Sequence, residues 1–181
     1  MGATVKFAAL LLSVCLASCA TSPDLGAHME YLYDDGGRAE AGYRGRERDC
    51  VARAVAIASR LPYQEIYQEL VRIEGTRIEG SRLIGGSKRR VASARSGIRT
   101  DRQAFREYMS SLGFRWTPTT YCRTHLRADE LPSGRLVVAV SQHYTSVVDG
   151  VIRDTYDPSR MGARCVEGYW SIPRKLGLKE E

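Results

Sequence analysis

"ERDCVARAVAIASRLP" (residues 47–62) decides how the chain is read, because it puts a cysteine where a helix should begin. Asp49 is a natural N-cap, and the alanine- and valine-rich run behind it is stopped by Pro62. Val51, Ala54, Val55 and Ala58 recur at helical spacing, which predicts a helix over residues 50–60 with one buried stripe. Its small side chains suit close passage over a sheet. A thiol one residue past the cap has two readings. Free cysteine is among the most buried residue types, so packing alone would account for it. A helix N-terminus also stabilises the thiolate, and the thiolate is the nucleophile. The rest of the chain has to separate the two.

Downstream, helices come first. Ile66, Leu70 and Ile73 share a face of a second expected helix, residues 63–74, ending at Gly75. The basic, Gly/Ser-rich region 75–99 reads as a long loop. "TDRQ" is a capping box from Thr100 to Gln103 that opens a third helix. Phe105, Tyr108, Met109 and Leu112 form its apolar face, and Gly113 supplies the stop. The period then changes to two. "FRWT", the valine-rich "RLVVAVS" (135–141) and "CVEGYWSI" (165–172) read as strands. "HYTSVVDGVIRDTY" is two β-runs around Asp149-Gly150, the strongest short hairpin signal. Helices followed by strands give an α+β order and not an alternating one.

That hairpin carries a second reactive group. With a two-residue turn at Asp149-Gly150, Val148 faces Val151, Thr145 faces Asp154 and His143 faces Tyr156. Asp154 therefore shares a face with His143, diagonally within reach. Asp157 is the alternative: it falls on the other face of a regular strand, but a break at Pro158 would swing it round. A histidine on a sheet is ordinarily structural. Here it has company, since a helix-start thiol, a strand imidazole and a next-strand carboxylate make a nucleophile, a base and an orienter.

The order of Cys, His on a strand, and Asp on the next strand resembles the papain-like cysteine peptidase superfamily. "GRERDCVARAVAIA", "SQHYTSVVDGV" and "IRDTYDPS" carry the resemblance. It implies a helical lobe led by the nucleophile helix and a second lobe of antiparallel sheet. It also implies Cys50 as nucleophile, His143 as general base and then acid, and Asp154 or Asp157 as orienter. Many members have a glutamine about six residues before the nucleophile as an oxyanion donor, and Arg44 stands there in this chain. Arg44 and Gln142 are accordingly the candidates for that role, beside the Cys50 N–H. The expected activity is thiol-dependent hydrolysis of an amide in a peptide, a protein or peptidoglycan. Acyl transfer, amidase chemistry and a degenerate binding or adaptor protein on the same fold are the alternatives.

Residues 1–18 read as a secretory signal: Lys6, then an apolar run from Phe7 to Leu16, then small residues. The run is too short, with the wrong flanks, for a membrane-spanning helix. "LASC" resembles a bacterial lipobox, which implies a lipid on Cys19, a tether over residues 19–30 and the cell envelope as the address. Met29 offers an alternative start. Residues 31–181 are then one domain of ordinary size.

The chain has five cysteines. Outside Cys15 and Cys19 they are Cys50, Cys122 and Cys165, an odd number for an oxidising compartment. A Cys122–Cys165 pair would leave Cys50 free. Cys122 and His125 have C-x-x-H spacing but lack further ligands, so no metal or other cofactor is expected. The formal net charge is +6, with much of the positive charge between Arg72 and Arg102. Such a run reads as a solvated loop or an anion-binding surface. It lacks the interleaved aromatics of a single-strand binder, so nucleic acid is not an expected partner. "IGGSKRR" lacks phosphate-loop spacing, which argues against nucleotide binding.

Overall fold

A computed structural model describes residues 28–45, 48–80 and 98–173. The expected signal, Cys19, residues 20–27 of the tether and the core of the basic run lie outside these residues. Met29 and Glu30, expected in the tether, belong to the fold: Met29 is buried in the core and Glu30 opens the first strand. No helix of the described residues is long and apolar enough to cross a membrane.

The elements are β1 (Glu30–Tyr33), α1 (Cys50–Ser59), α2 (Tyr63–Gly80), α3 (Gln103–Ser111), β2 (Arg115–Pro118), β3 (Arg135–Val140), β4 (His143–Val148), β5 (Val151–Asp154) and β6 (Val166–Ser171). Six strands form one mixed sheet in the order β1-β5-β4-β3-β6-β2. Only the β1–β5 pair is parallel among the described residues. Among the described residues three helices accompany a mixed sheet whose centre is antiparallel. Strand β1 precedes the helices and adds a parallel edge to the antiparallel sheet expected from the sequence.

The pleat sorts the sheet's side chains into two cores. Val137 and Trp170 join the helical core of Val51, Val55, Ile66, Leu70, Phe105 and Met109. Leu136, Val138, Val140, Val147, Ile152 and Val166 build a second core with Met29, Leu126 and Leu131. Alternation along β3 follows from the period of two in a strand.

Four local expectations changed. Helix α1 is buried on all sides from Val51 to Ala58, Arg53 included, and not along one stripe. It is enclosed by the sheet and by α2, with the glycine loop after β1 against it: a Cβ on Gly36 would meet the Arg53 carbonyl at 3.0 Å. Asp49 occupies the N-cap position but makes no cap hydrogen bond, because buried cations and a phenol take its carboxylate. Helix α2 continues through Gly75 to Gly80. One interior glycine costs only about 1 kcal/mol against alanine, too little to end a helix. The Thr100 capping box does not form. Helix α3 starts at Gln103 without a side-chain cap. The Thr100 hydroxyl is hydrogen-bonded to Tyr144, and the Gln103 amide donates to Glu107.

Other signals held. The Gly113 N–H reaches the Ser110 carbonyl and the Phe114 N–H the Met109 carbonyl, the paired bonds of a glycine-terminated helix. Asp149 and Gly150 have φ of 50° and 81°, which suits a hairpin turn with both residues left-handed. Its register pairs Val148 with Val151 and Ser146 with Arg153. A second tight turn, Ser141-Gln142, joins β3 to β4 and pairs Val140 with His143.

The orientation of α1 is fixed at its far end. Arg135, which pairs with Val148 near the hairpin turn, donates from Nε to the Ala58 carbonyl at 2.7 Å and from its guanidinium to the Ile57 carbonyl. A cation there complements the negative end of the helix dipole. The opposite end of α1, with Cys50, therefore lies where β4 begins and β5 ends. Those strand ends are His143 and Asp154.

Candidate active site

Cys50 is the first residue of α1 and is partly buried. Its amide is among those that an α-helix leaves without an intrahelical acceptor, and the Asp49 side chain does not occupy them. The thiol stands beside His143 and the backbone of Tyr144, and both favour its charged form. His143 is buried at the head of β4, and its Nε2 lies 2.7 Å from Oδ2 of Asp154. The other carboxylate oxygen of Asp154 accepts the Thr155 N–H at 2.7 Å. The ring of Tyr156 lies against the imidazole, with centroids 5.0 Å apart.

The electrostatics favour a charged pair. Burial pushes the Cys50 thiol up. The hydrogen bond and charge of His143, the Tyr144 backbone and the charge of Arg53 outweigh it, and the thiol falls below its ordinary value. Burial works against the imidazolium, but the bonds and charges of Asp154 and Cys50 raise His143 to about 9. Between the lowered thiol value and about 9, thiolate and imidazolium coexist. A thiolate in hydrogen-bond reach of a base that a carboxylate orients can attack an electrophilic carbon and hand over a proton.

The pair opens into a cleft of about 730 Å³, lined among others by Arg48, Val51, Ile98, Thr100, Gln142 and Glu167. That volume suits a small molecule or a few residues of a chain. Gln142 reaches the cleft because the Ser141-Gln142 turn holds it at φ 59°, a conformation uncommon outside glycine.

The structure brings Cys50, His143, Asp154 and Gln142 together. It does not bring Arg44 or Asp157 to them. Arg44 is exposed and outside the cleft lining, and its carbonyl accepts from the Arg38 guanidinium at 3.2 Å. The Asp157 carboxylate turns back to accept the Ser159 N–H at 2.8 Å, so the Pro158 break does not carry it to the ring. Cys122 and Cys165 form a disulfide, with Cα atoms 4.7 Å apart. Cys50 is the free cysteine among the described residues. The C-x-x-H pair loses its thiolate to that disulfide, and His125 is bound instead by Glu130 at 3.1 Å.

Sequence reasoning missed a buried ionic cluster behind the triad. The Asp49 carboxylate accepts from Arg38 Nε at 2.6 Å, from the Tyr63 hydroxyl at 2.7 Å and from the Arg53 guanidinium. Arg53 also stands 3.6 Å from Asp154. Two signals were available: a charge at position 53 inside an otherwise apolar helix run, and an acid in a cap position preceded by a glycine-flanked arginine at 38. No protein-family model, no curated protein and no solved structure matches the chain.

Proposed function

We propose that the protein is a thiol hydrolase of papain-like type that cleaves an amide bond through Cys50, His143 and Asp154. The observation that supports it is the placing of the thiol beside an imidazole that is hydrogen-bonded to the Asp154 carboxylate, at the mouth of a cleft. The Cys50 sulfur adds to the scissile carbonyl carbon. The developing oxyanion is held by the free Cys50 N–H, with the Gln142 side chain as the second donor. Nε2 of His143 belongs to Asp154, so Nδ1 serves the sulfur and delivers its proton to the leaving amine. The amine departs and leaves a thioester. A water molecule then gives His143 a proton, attacks the acyl carbon and releases a carboxylate and the thiol. Asp154 keeps the ring oriented and stabilises its charge throughout.

The substrate reading is a peptide, a protein or the peptide part of peptidoglycan. The signal-like residues 1–18 and the lipobox-like Cys19 support a lipid-anchored site in the bacterial envelope. The test is mass spectrometry of peptide mixtures and peptidoglycan fragments incubated with wild type and with Cys50→Ala. Products that gain one water across an amide, and vanish with Cys50→Ala, support the reading. Products unchanged by Cys50→Ala, or no products together with slow Cys50 alkylation at pH 6.5, overturn it. Transfer of the acyl group to added amines in preference to water would make the same triad an acyltransferase.

A further inference from the structure

Arg53 is the one charged residue within the buried run Val51–Ala58, and only 8% of it is exposed. A guanidinium cannot be buried cheaply without partners. Its partners are informative. One arm donates to Oδ1 of Asp49, one turn back on the same helix. The other arm makes an ion-pair contact with Oδ1 of Asp154, on the far strand, at 3.6 Å. Asp154 gives its other oxygen to His143. Asp49 is itself clamped on its second oxygen by Arg38 and Tyr63. Arg53 thus links the clamped Asp49 to the carboxylate that orients the base. It also sits three residues after Cys50, so one helical turn fixes its distance from the nucleophile.

We propose that Arg53 is a positioning residue: by spanning Asp49 and Asp154 it holds the Asp154 carboxylate in line with His143 and so keeps the Cys50–His143 pair assembled. The inference rests on the Cys-His-Asp reading and assigns the residue that sets its geometry. It also accounts for two oddities. Asp49 forgoes its cap role because its carboxylate anchors Arg53, and the first turn of α1 is left without a side-chain cap. The charges face one another in alternating sign, from Arg38 through Asp49, Arg53 and Asp154 to His143 and Cys50. Arg48 and Glu167 line the cleft beside the pair, and Tyr156 covers the imidazole under the added influence of Arg164.

The experiment is alkylation of Cys50 by iodoacetamide from pH 5 to 9, followed site by site by peptide mass spectrometry, in wild type, His143→Ala, Arg53→Met, Arg53→Lys and Asp49→Asn. Each variant's melting curve is recorded beside it. Arg53→Met removes both the span and a charge that favours the thiolate, so the acid limb of the rate profile moves to higher pH. The rate at pH 6 falls about tenfold, one pH unit of limb shift. Arg53→Lys keeps the charge but offers a single point where the guanidinium had two arms. The limb still moves upward, with a fall of about threefold at pH 6, and Asp49→Asn does the same without altering Arg53. A structural role alone would lower the melting temperature and leave the limb in place, which overturns the proposal. A wild-type limb in Arg53→Lys beside a shifted one in Arg53→Met would mean that charge acts without positioning, which also overturns it. If Arg53→Met gives no cooperative melt, Arg53→Lys and Asp49→Asn decide. The triad reading fails separately, and visibly: wild type would then alkylate slowly at pH 6 and His143→Ala would not differ from it.

Discussion

Replacing Asp154 by asparagine keeps the side chain's shape and removes the charge that holds His143. In the wild type the imidazole is raised to about 9, against an ordinary value of about 6.5, which at 1.36 kcal/mol per unit is about 3 kcal/mol of preference for the imidazolium. At pH 6.5 nearly all of the wild-type ring is charged. Without the charge of Asp154, burial acts against the imidazolium with Cys50 left to oppose it, so fewer of the rings stay protonated at pH 6.5. The thiol then loses the partner that opposes its own burial. Below its pKa, each unit of upward movement cuts the thiolate tenfold, so Asp154→Asn lowers the iodoacetamide rate at pH 6.5 at least about tenfold. At pH 9.5, where a free thiol is itself ionised, the two rates converge to within about threefold. The assay is site-resolved alkylation well below the variant's melting temperature, because leaving Arg53 and His143 beside a neutral amide also destabilises the fold. Asp157→Asn is the control and keeps the wild-type profile. Equal rates at pH 6.5 for wild type and Asp154→Asn, or a fall with Asp157→Asn instead, would refute the assignment of the orienter.

Three further outcomes are expected. In Cys50→Ala the thiol no longer titrates, and His143, still raised by the bond and charge of Asp154 but no longer by Cys50, stabilises the fold fully below its unfolded value near 6.5. Chemical denaturation should therefore show stability declining as pH rises above about 6.5, by less than about 3 kcal/mol, and a flat profile in Cys50→Ala would refute this reasoning. The Cys122–Cys165 bridge spans 43 residues of sequence, for which the chain-entropy argument gives about 4 kcal/mol, so Cys122→Ser/Cys165→Ser should unfold at markedly lower denaturant while Cys50 remains the fast thiol. A methyl group on Gly168 would sit 2.2 Å from Cζ2 of Trp116 and 2.9 Å from the Thr117 carbonyl, so Gly168→Ala should cost about 1–3 kcal/mol in the same measurement, with an unchanged midpoint counting against the β2–β6 packing.

The grouping of Cys50, His143 and Asp154 was legible before any coordinates because its signals are local. A cysteine after an N-cap residue, a valine-rich run, and Asp-Gly between two β-runs each speak through backbone propensity over a few residues. The turn at Asp149-Gly150 fixes the hairpin register, and register alone puts Asp154 rather than Asp157 on the imidazole's face. Elements with a single dominant force, such as the Gly113 helix stop, were equally readable. What failed were readings in which a side chain had a local partner and a distant one to choose between. Asp49 could have capped α1, and Thr100 could have capped α3. Arg38, Arg53 and Tyr63 claim the first, and Tyr144 the second. A charge-assisted bond in a buried site outweighs a cap bond to a neutral amide, and nothing in a linear spacing announces which residues will arrive there. Arg44 fails for the same reason: its offset from Cys50 suits an oxyanion donor, but the fold turns its side chain outward and uses its carbonyl to hold Arg38. The sequence by itself determined which groups can react. Only the tertiary structure decided which of them meet, because burial sets the strength of each ionic contact and burial is a property of the whole fold.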